Sequence, residues 1–200
     1  MRRIFLWVWP LLVLAGCGPA DPHEARFQGT WQHIVENNLT NAKDDSTITI
    51  SADHDRFRIS EKIGNSESIE VFDGQTLYTK TVFQPVDSSE GESMPPTSRA
   101  QPMTATQTGS RRFWSSTYTS GHADAGGLVA GQDTLLYKIS EHRLDGDLSE
   151  QQWVDAKTGI LLKSISAIYS SQVQSLVRQE TWECRSINYA GPPETDFQKP

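Results

Sequence analysis

From Phe27 onward the chain alternates apolar and polar side chains with a period of two. That pattern restricts it to strands buried on one face and wet on the other. Phe27, Trp31 and Val35 share one parity, with Gln28, Thr30, Gln32 and Glu36 on the other. Segments 47–51, 56–60 and 68–72 repeat the pattern through the pairs Ile48/Ile50, Phe57/Ile59 and Ile69/Val71. Turn formers separate the runs at 53–55, 64–66, 73–74, 145–147 and 157–159. Further strands are predicted over 77–83, 112–119, 134–142, 150–154, 160–169 and 173–189. The last two are long, as a large curved antiparallel sheet requires. No segment keeps an i, i+3, i+4 apolar stripe for three turns, so the predicted fold is mainly antiparallel β with little helix.

Two stretches break the alternation. Residues 84–110 are rich in Pro, Ser, Thr, Gln and Gly and nearly devoid of apolar side chains. A loop of that length is either disordered or functional, for instance a flap over a cavity. Residues 120–133 read as a short turn or helical piece before the strand at Thr134.

The first seventeen residues have a different character. Arg2 and Arg3 precede an apolar run from Ile4 to Val13, which ends in Leu14-Ala15-Gly16-Cys17. This is the layout of a secretory signal, and the run is too short to span a bilayer, which takes ~20 apolar residues. The Leu-Ala-Gly-Cys ending resembles the bacterial lipobox. The resemblance implies cleavage after residue 16 and acylation of Cys17, so that 1–16 is a signal peptide and 17–26 a lipidated spacer. Gly18, rather than Asp, follows the cysteine; by resemblance to enterobacterial sorting rules this implies the outer membrane, facing the periplasm.

Loss of residues 1–16 leaves 184 residues, enough for one domain (27–200) with a core. The mature chain then carries 16 basic and 25 acidic side chains, a net charge of −9 with His neutral. Such a surface repels nucleic acid and anionic headgroups, so neither is expected as a partner. Of the two cysteines only Cys184 remains beyond Cys17, which rules out an intramolecular disulfide in the domain. Cys184 shares a strand face with Leu176 and Trp182 and reads as a small buried hydrophobe.

Three segments of the β-rich region carry a second resemblance. Glu70-Val71-Phe72-Asp73-Gly74-Gln75-Thr76-Leu77-Tyr78, the hairpin from Gln152-Trp153-Val154-Asp155 to Thr158-Gly159-Ile160-Leu161, and the Gly131-containing lead into Thr134 are similar to segments of the LolA-like superfamily. That group comprises outer-membrane lipoprotein carriers, their receptors, the sensor RseB and mycobacterial lipid-carrying lipoproteins. The resemblance implies a single, strongly curved antiparallel sheet, an open half-barrel, whose concave face takes acyl chains. The chain departs from the group at its N-terminus, where carriers have a helix and this sequence enters strand almost directly.

The apolar residues expected to line that trough are Phe27, Trp31, Phe57, Ile59, Val71 and Leu162. The same residues equally suit a closed, packed core, and parity does not say which face is concave. Asp53-His54-Asp55 and Asp145-Gly146-Asp147 offer carboxylates, but neither has EF-hand spacing, and no HExxH or CxxC occurs. Gly-x-Ser-x-Gly is absent and no Gly-rich phosphate loop opens a helix. No metal, cofactor or catalytic residue is therefore expected. The sequence reads as a non-catalytic, lipid-anchored envelope protein that binds lipid or the acyl chains of a lipoprotein. The alternative is a filled-core interaction or stress-sensing protein with an envelope protein partner.

Overall fold

The computed structural model describes residues 25–83, 95–104, 106–115, 122–143 and 146–200. Eleven strands form one antiparallel sheet: β1 (Arg26–Asn37), β2 (Ala42–Asp53), β3 (Arg56–Ile63), β4 (Ser66–Phe72), β5 (Thr76–Phe83), β6 (Thr97–Pro102), β7 (Asp124–Val129), β8 (Gln132–Arg143), β9 (Gly146–Asp155), β10 (Leu161–Ser170) and β11 (Ser175–Asn188). The order across the sheet is β6-β5-β4-β3-β2-β1-β11-β10-β9-β8-β7. Each strand therefore pairs with its chain neighbour, except that β1 also pairs with β11 and joins the two meanders. β6 and β7 are the two edges, so the sheet does not close into a barrel. It curls strongly nonetheless, since β7 comes back into contact with β11 across the intervening strands.

Local chemistry sets the turns. In the β4–β5 connection the Asp73 carboxylate accepts the backbone N–H groups of Gln75 and Thr76, both at 2.8 Å. Asp155 does the same for Lys157 and Thr158 between β9 and β10, again at 2.8 Å. Gly74 and Gly159 follow in the left-handed region at φ 101° and 72°, where a side chain would be strained.

The expected mainly β, open, curved sheet is thus what the chain forms. Three local expectations change. The alternation predicts a strand over 112–119, but Phe113–Ser115 is a 3-10 turn, and 116–119 lie outside the described residues. A strand would send Phe113 and Trp114 to opposite faces, whereas the turn lets both rings pack into one aromatic cluster. Within the expected loop 84–110, Thr97–Pro102 is the exposed edge strand β6 and Thr106–Arg111 a second 3-10 turn, while 84–94 and 105 lie outside the described residues. Edge strands pair on one side only and need no apolar pattern. Within the turn or helical piece expected in 120–133, Asp124–Val129 is strand β7 and β8 begins at Gln132, while 120–121 lie outside the described residues.

Candidate functional site

In an antiparallel ladder, directly opposed residues point to the same face. Phe27 lies opposite Ala52, which lies opposite Phe57, which lies opposite Phe72, which lies opposite Leu77. This row and the next ones, through Ile50 and Ile59 and then Trp31 and Ile48, form the apolar floor of one face. We call it the inner face, because residues 106–115 pack on it.

That segment brings two aromatic rings into the floor. Trp114 sits edge-on to Phe27 at 5.9 Å and to Phe57 at 5.8 Å between ring centroids. Phe113 sits edge-on to Trp31 at 6.1 Å and leans against Trp182 at 4.3 Å. Polar contacts hold the segment at several points. The Met103 N–H donates to Gln75 O at 3.0 Å, and Arg112 Nη2 donates to Asp55 O at 2.6 Å. Arg112 is buried against the Phe57 ring, which pulls its pKa down, and Arg111 forms an ion pair with Glu70. Residues 103–104 and 106–115 thus make a cap, latched to β3–β5 and plugged into the floor by Phe113 and Trp114.

Beside the cap a cleft of about 190 Å³ remains, lined by Ile48, Ile59, Glu61, Ser68, Glu70, Arg111, Phe113 and Trp182. Its polar side belongs to a cluster centred on His33, which stacks on Trp182 with ring centroids 3.7 Å apart. His33 Nε2 lies 3.0 Å from Glu180 Oε1, and the same oxygen accepts the Trp182 indole N–H at 2.9 Å. Glu61 lies 4.0 Å from the other ring nitrogen and accepts a hydrogen bond from Ser46 at 2.9 Å. Partial burial of His33 disfavours its charge, yet the two glutamates outweigh burial and push its pKa up to about 9. Its hydrogen bond in turn draws Glu180 down to about 2, and Glu61 is lowered for the same reason. His33 is therefore an imidazolium between two carboxylates, which is a structural arrangement and not that of a general base near neutrality.

Four of the expected trough residues meet in one cluster: Phe27, Trp31, Phe57 and Leu162 are completely buried there, together with Trp114 and Cys184. Ile59 packs against the same cluster and lines the cleft. Val71 does not join them. It lies opposite Arg58, one step out of phase with the Phe57–Phe72 row, and so belongs to the outer face. The C-terminal residues cross that face: Ser51 donates to Asp196 at 2.6 Å, and Lys199 lies over the Tyr78 ring. Cys17 and Asp145 lie outside the described residues. Asp53 is committed to Arg26, Arg56 and His54, and among the described residues no group of three His, Cys, Asp or Glu is placed to hold a metal. Burial pushes the Cys184 thiol up to about 12, which leaves it inert.

The cap residues and the His33 cluster had weak sequence signals. An Arg-Arg-Phe-Trp run at the end of a polar stretch marks an anchored aromatic insertion, but alternation alone reads it as strand. The cluster needs β3, β2, β1 and β11 in that order across the sheet, which no local pattern reveals.

The arrangement defines a class: an open antiparallel half-barrel whose apolar inner face is closed by a segment of its own chain. No protein-family profile and no curated protein matches the sequence. Among solved structures it is similar to a Vibrio parahaemolyticus domain named for outer-membrane lipoprotein sorting, with 11% identity over 88% of this chain and 90% of that one, at a TM-score of 0.34. It is also similar to a DUF1329 family protein from Desulfovibrio piger, with 10% identity, the same coverages and a TM-score of 0.33. Likenesses this distant carry no argument about activity, which rests on the site itself.

Proposed function

We propose that this chain is a lipid-anchored cell-envelope protein that binds an amphiphile by exchanging its cap for an acyl chain, with no covalent step on the ligand. The observation that carries this reading is the plug: the sheet's own strands do not close the apolar floor, and two rings from a short polar segment do. The cleft as it stands is smaller than the ~300 Å³ at which ligand pockets begin, so a chain gains room only where Phe113 and Trp114 leave it. Burying Trp114 is worth about 6 kcal/mol, from ~250 Å² at ~25 cal/mol per Å², and the half-buried Phe113 adds about 2. Each buried methylene contributes about 0.8 kcal/mol, so an acyl chain of roughly ten carbons balances the plug. The Trp31 indole N–H supports the same reading, since it is buried with no acceptor among the described residues. An unmet donor of that kind costs about 1–3 kcal/mol, which the carbonyl of an acyl ester would recover.

The test is native mass spectrometry with lipid extraction on residues 18–200, exported to the periplasm without acylation. All strands and both core clusters lie within residues 25–200, so this form keeps the whole fold. Co-purifying lipid or acyl-peptide, or uptake of added long-chain amphiphiles with a threshold near ten carbons, supports the proposal. A clean apo mass with no uptake at any chain length sinks it. The complete burial of Phe27, Trp31, Phe57 and Leu162 would then favour the second reading, a filled-core module that contacts an envelope protein.

A further inference from the structure

Lifting the cap takes away more than two aromatic rings. Arg111 leaves with them, and it is the one cation among the described residues that line the cleft. Its partner Glu70 stays behind on β4, and Glu61 stays on β3. Whatever replaces the cap meets both carboxylates, which are only 22% and 34% exposed.

The register shows how little offsets them. On β3, β4 and β5 every second residue faces inward, counted from the Phe57–Phe72–Leu77 row. Glu61 and Glu70 are the only charged residues in that inward set. The other charges of these strands, Arg56, Arg58, Lys62, Glu67 and Lys80, fall on the outward parity. On the flanking strands β1, β2 and β6 the inward cations are His33 and Arg99. His33 is shared between Glu61 and Glu180 and lies closer to Glu180, at 3.0 Å. Arg99 stands on the exposed edge strand, two strands from Glu70 and so about 10 Å away.

Glu70 is one inward step from Phe72, about 7 Å along β4. A head held at Glu70 therefore leaves its tail on the Phe57–Phe72 row, where Trp114 sits in the capped form. The cap has this same layout, a guanidinium on Glu70 followed by rings on the floor. We infer that the cleft selects amphiphiles with an ammonium head, which takes the place of Arg111 on Glu70 and Glu61 while the tail takes that of Phe113 and Trp114. A carboxylate strengthens its hydrogen bond to a charged donor, and like charges in a half-buried cleft exclude an anionic head. The inference rests on the cap-exchange reading and adds the head to it.

The experiment titrates residues 18–200, in Trp fluorescence and below micelle-forming concentrations, with tetradecylammonium, tetradecyl maltoside and tetradecyl sulfate. The ammonium form should bind at least roughly tenfold tighter than the sulfate, with the neutral maltoside between them. The double variant Glu61→Gln, Glu70→Gln should remove that preference. Glu67→Gln makes the same charge change on the outer face of β4 and should leave it intact, which separates the cleft from the chain's overall negative charge. Loosening the cap helps every head alike, so the ratio between heads is the readout. The single variant Glu70→Gln leaves the His33 cluster whole and should lower the ratio on its own, so the test stands even where the double variant does not fold. Myristoylated lysophosphatidylethanolamine and lysophosphatidylglycerol then tell an ammonium-bearing lipid, bound in that order, from a free amine. Equal or tighter binding of the sulfate, or an equal loss of preference in Glu67→Gln, overturns the inference. Uptake indifferent to the head removes this inference alone, whereas no uptake of any head removes the cap exchange with it.

Discussion

His33 holds the polar side of the cleft together, and its titration carries a stability signature. Its folded pKa of about 9 lies above the ordinary value of 6.5, so its contribution is complete below about pH 6.5 and is lost as pH rises through 9. Glu180 is the reverse: at about 2 against 4.5, its contribution is present above about pH 4.5 and is lost as pH falls through 2. The two values describe one ion pair, worth at most about 3 kcal/mol when counted once. The thermal midpoint should therefore plateau between about pH 4.5 and 6.5 and decline on both sides, and His33→Gln should remove the alkaline decline. A parent midpoint that is flat from pH 6.5 to 9 would contradict this account. A second residue-scale constraint is Gly29, over which the Trp31 ring lies. A methyl group there would come 2.5 Å from the ring and 2.9 Å from the Ser186 carbonyl oxygen. Gly29→Ala should cost about 1–3 kcal/mol in denaturant unfolding by forcing the ring off its site.

At the scale of elements, the cap decides whether the floor is a core or a trough. Trp114 is buried against Phe27 and Phe57, so Trp114→Ala should cost about 3–5 kcal/mol if the cavity stays empty. Under the exchange proposal the same truncation also makes room, so long-chain amphiphiles should restore much of that loss and bind more tightly than to the parent. Melting the variant with and without a saturating C16 amphiphile separates the cases: equal destabilisation in both would mean that the floor is only a core. The latch gives a milder version. Arg111→Gln breaks the exposed pair with Glu70 and should change stability by less than about 1 kcal/mol, while speeding amphiphile association in stopped-flow Trp fluorescence.

At the scale of the molecule, Arg26 and the β1–β2 turn stand at opposite ends of β1, about 40 Å apart at ~3.3 Å per residue. Residues 17–25 extend at most about 30 Å. In a protein acylated at Cys17, as we propose, the Arg26 end of the sheet therefore stays within about 30 Å of the bilayer. The sequence by itself determined the strands other than the edges β6 and β7, because a period-two pattern and Asp-based turns act over a few residues: Asp73 and Asp155 bind the N–H groups of their own turns whatever lies around them. It also determined that Phe27, Trp31, Phe57 and Leu162 would avoid water. Only the tertiary structure decided that Val71 faces the other way, that Phe113 and Trp114 fill the floor, and that His33 falls between Glu61 and Glu180. Each of these depends on register and on chain segments far apart in sequence, and parity within one strand does not say which of its two faces another segment will cover.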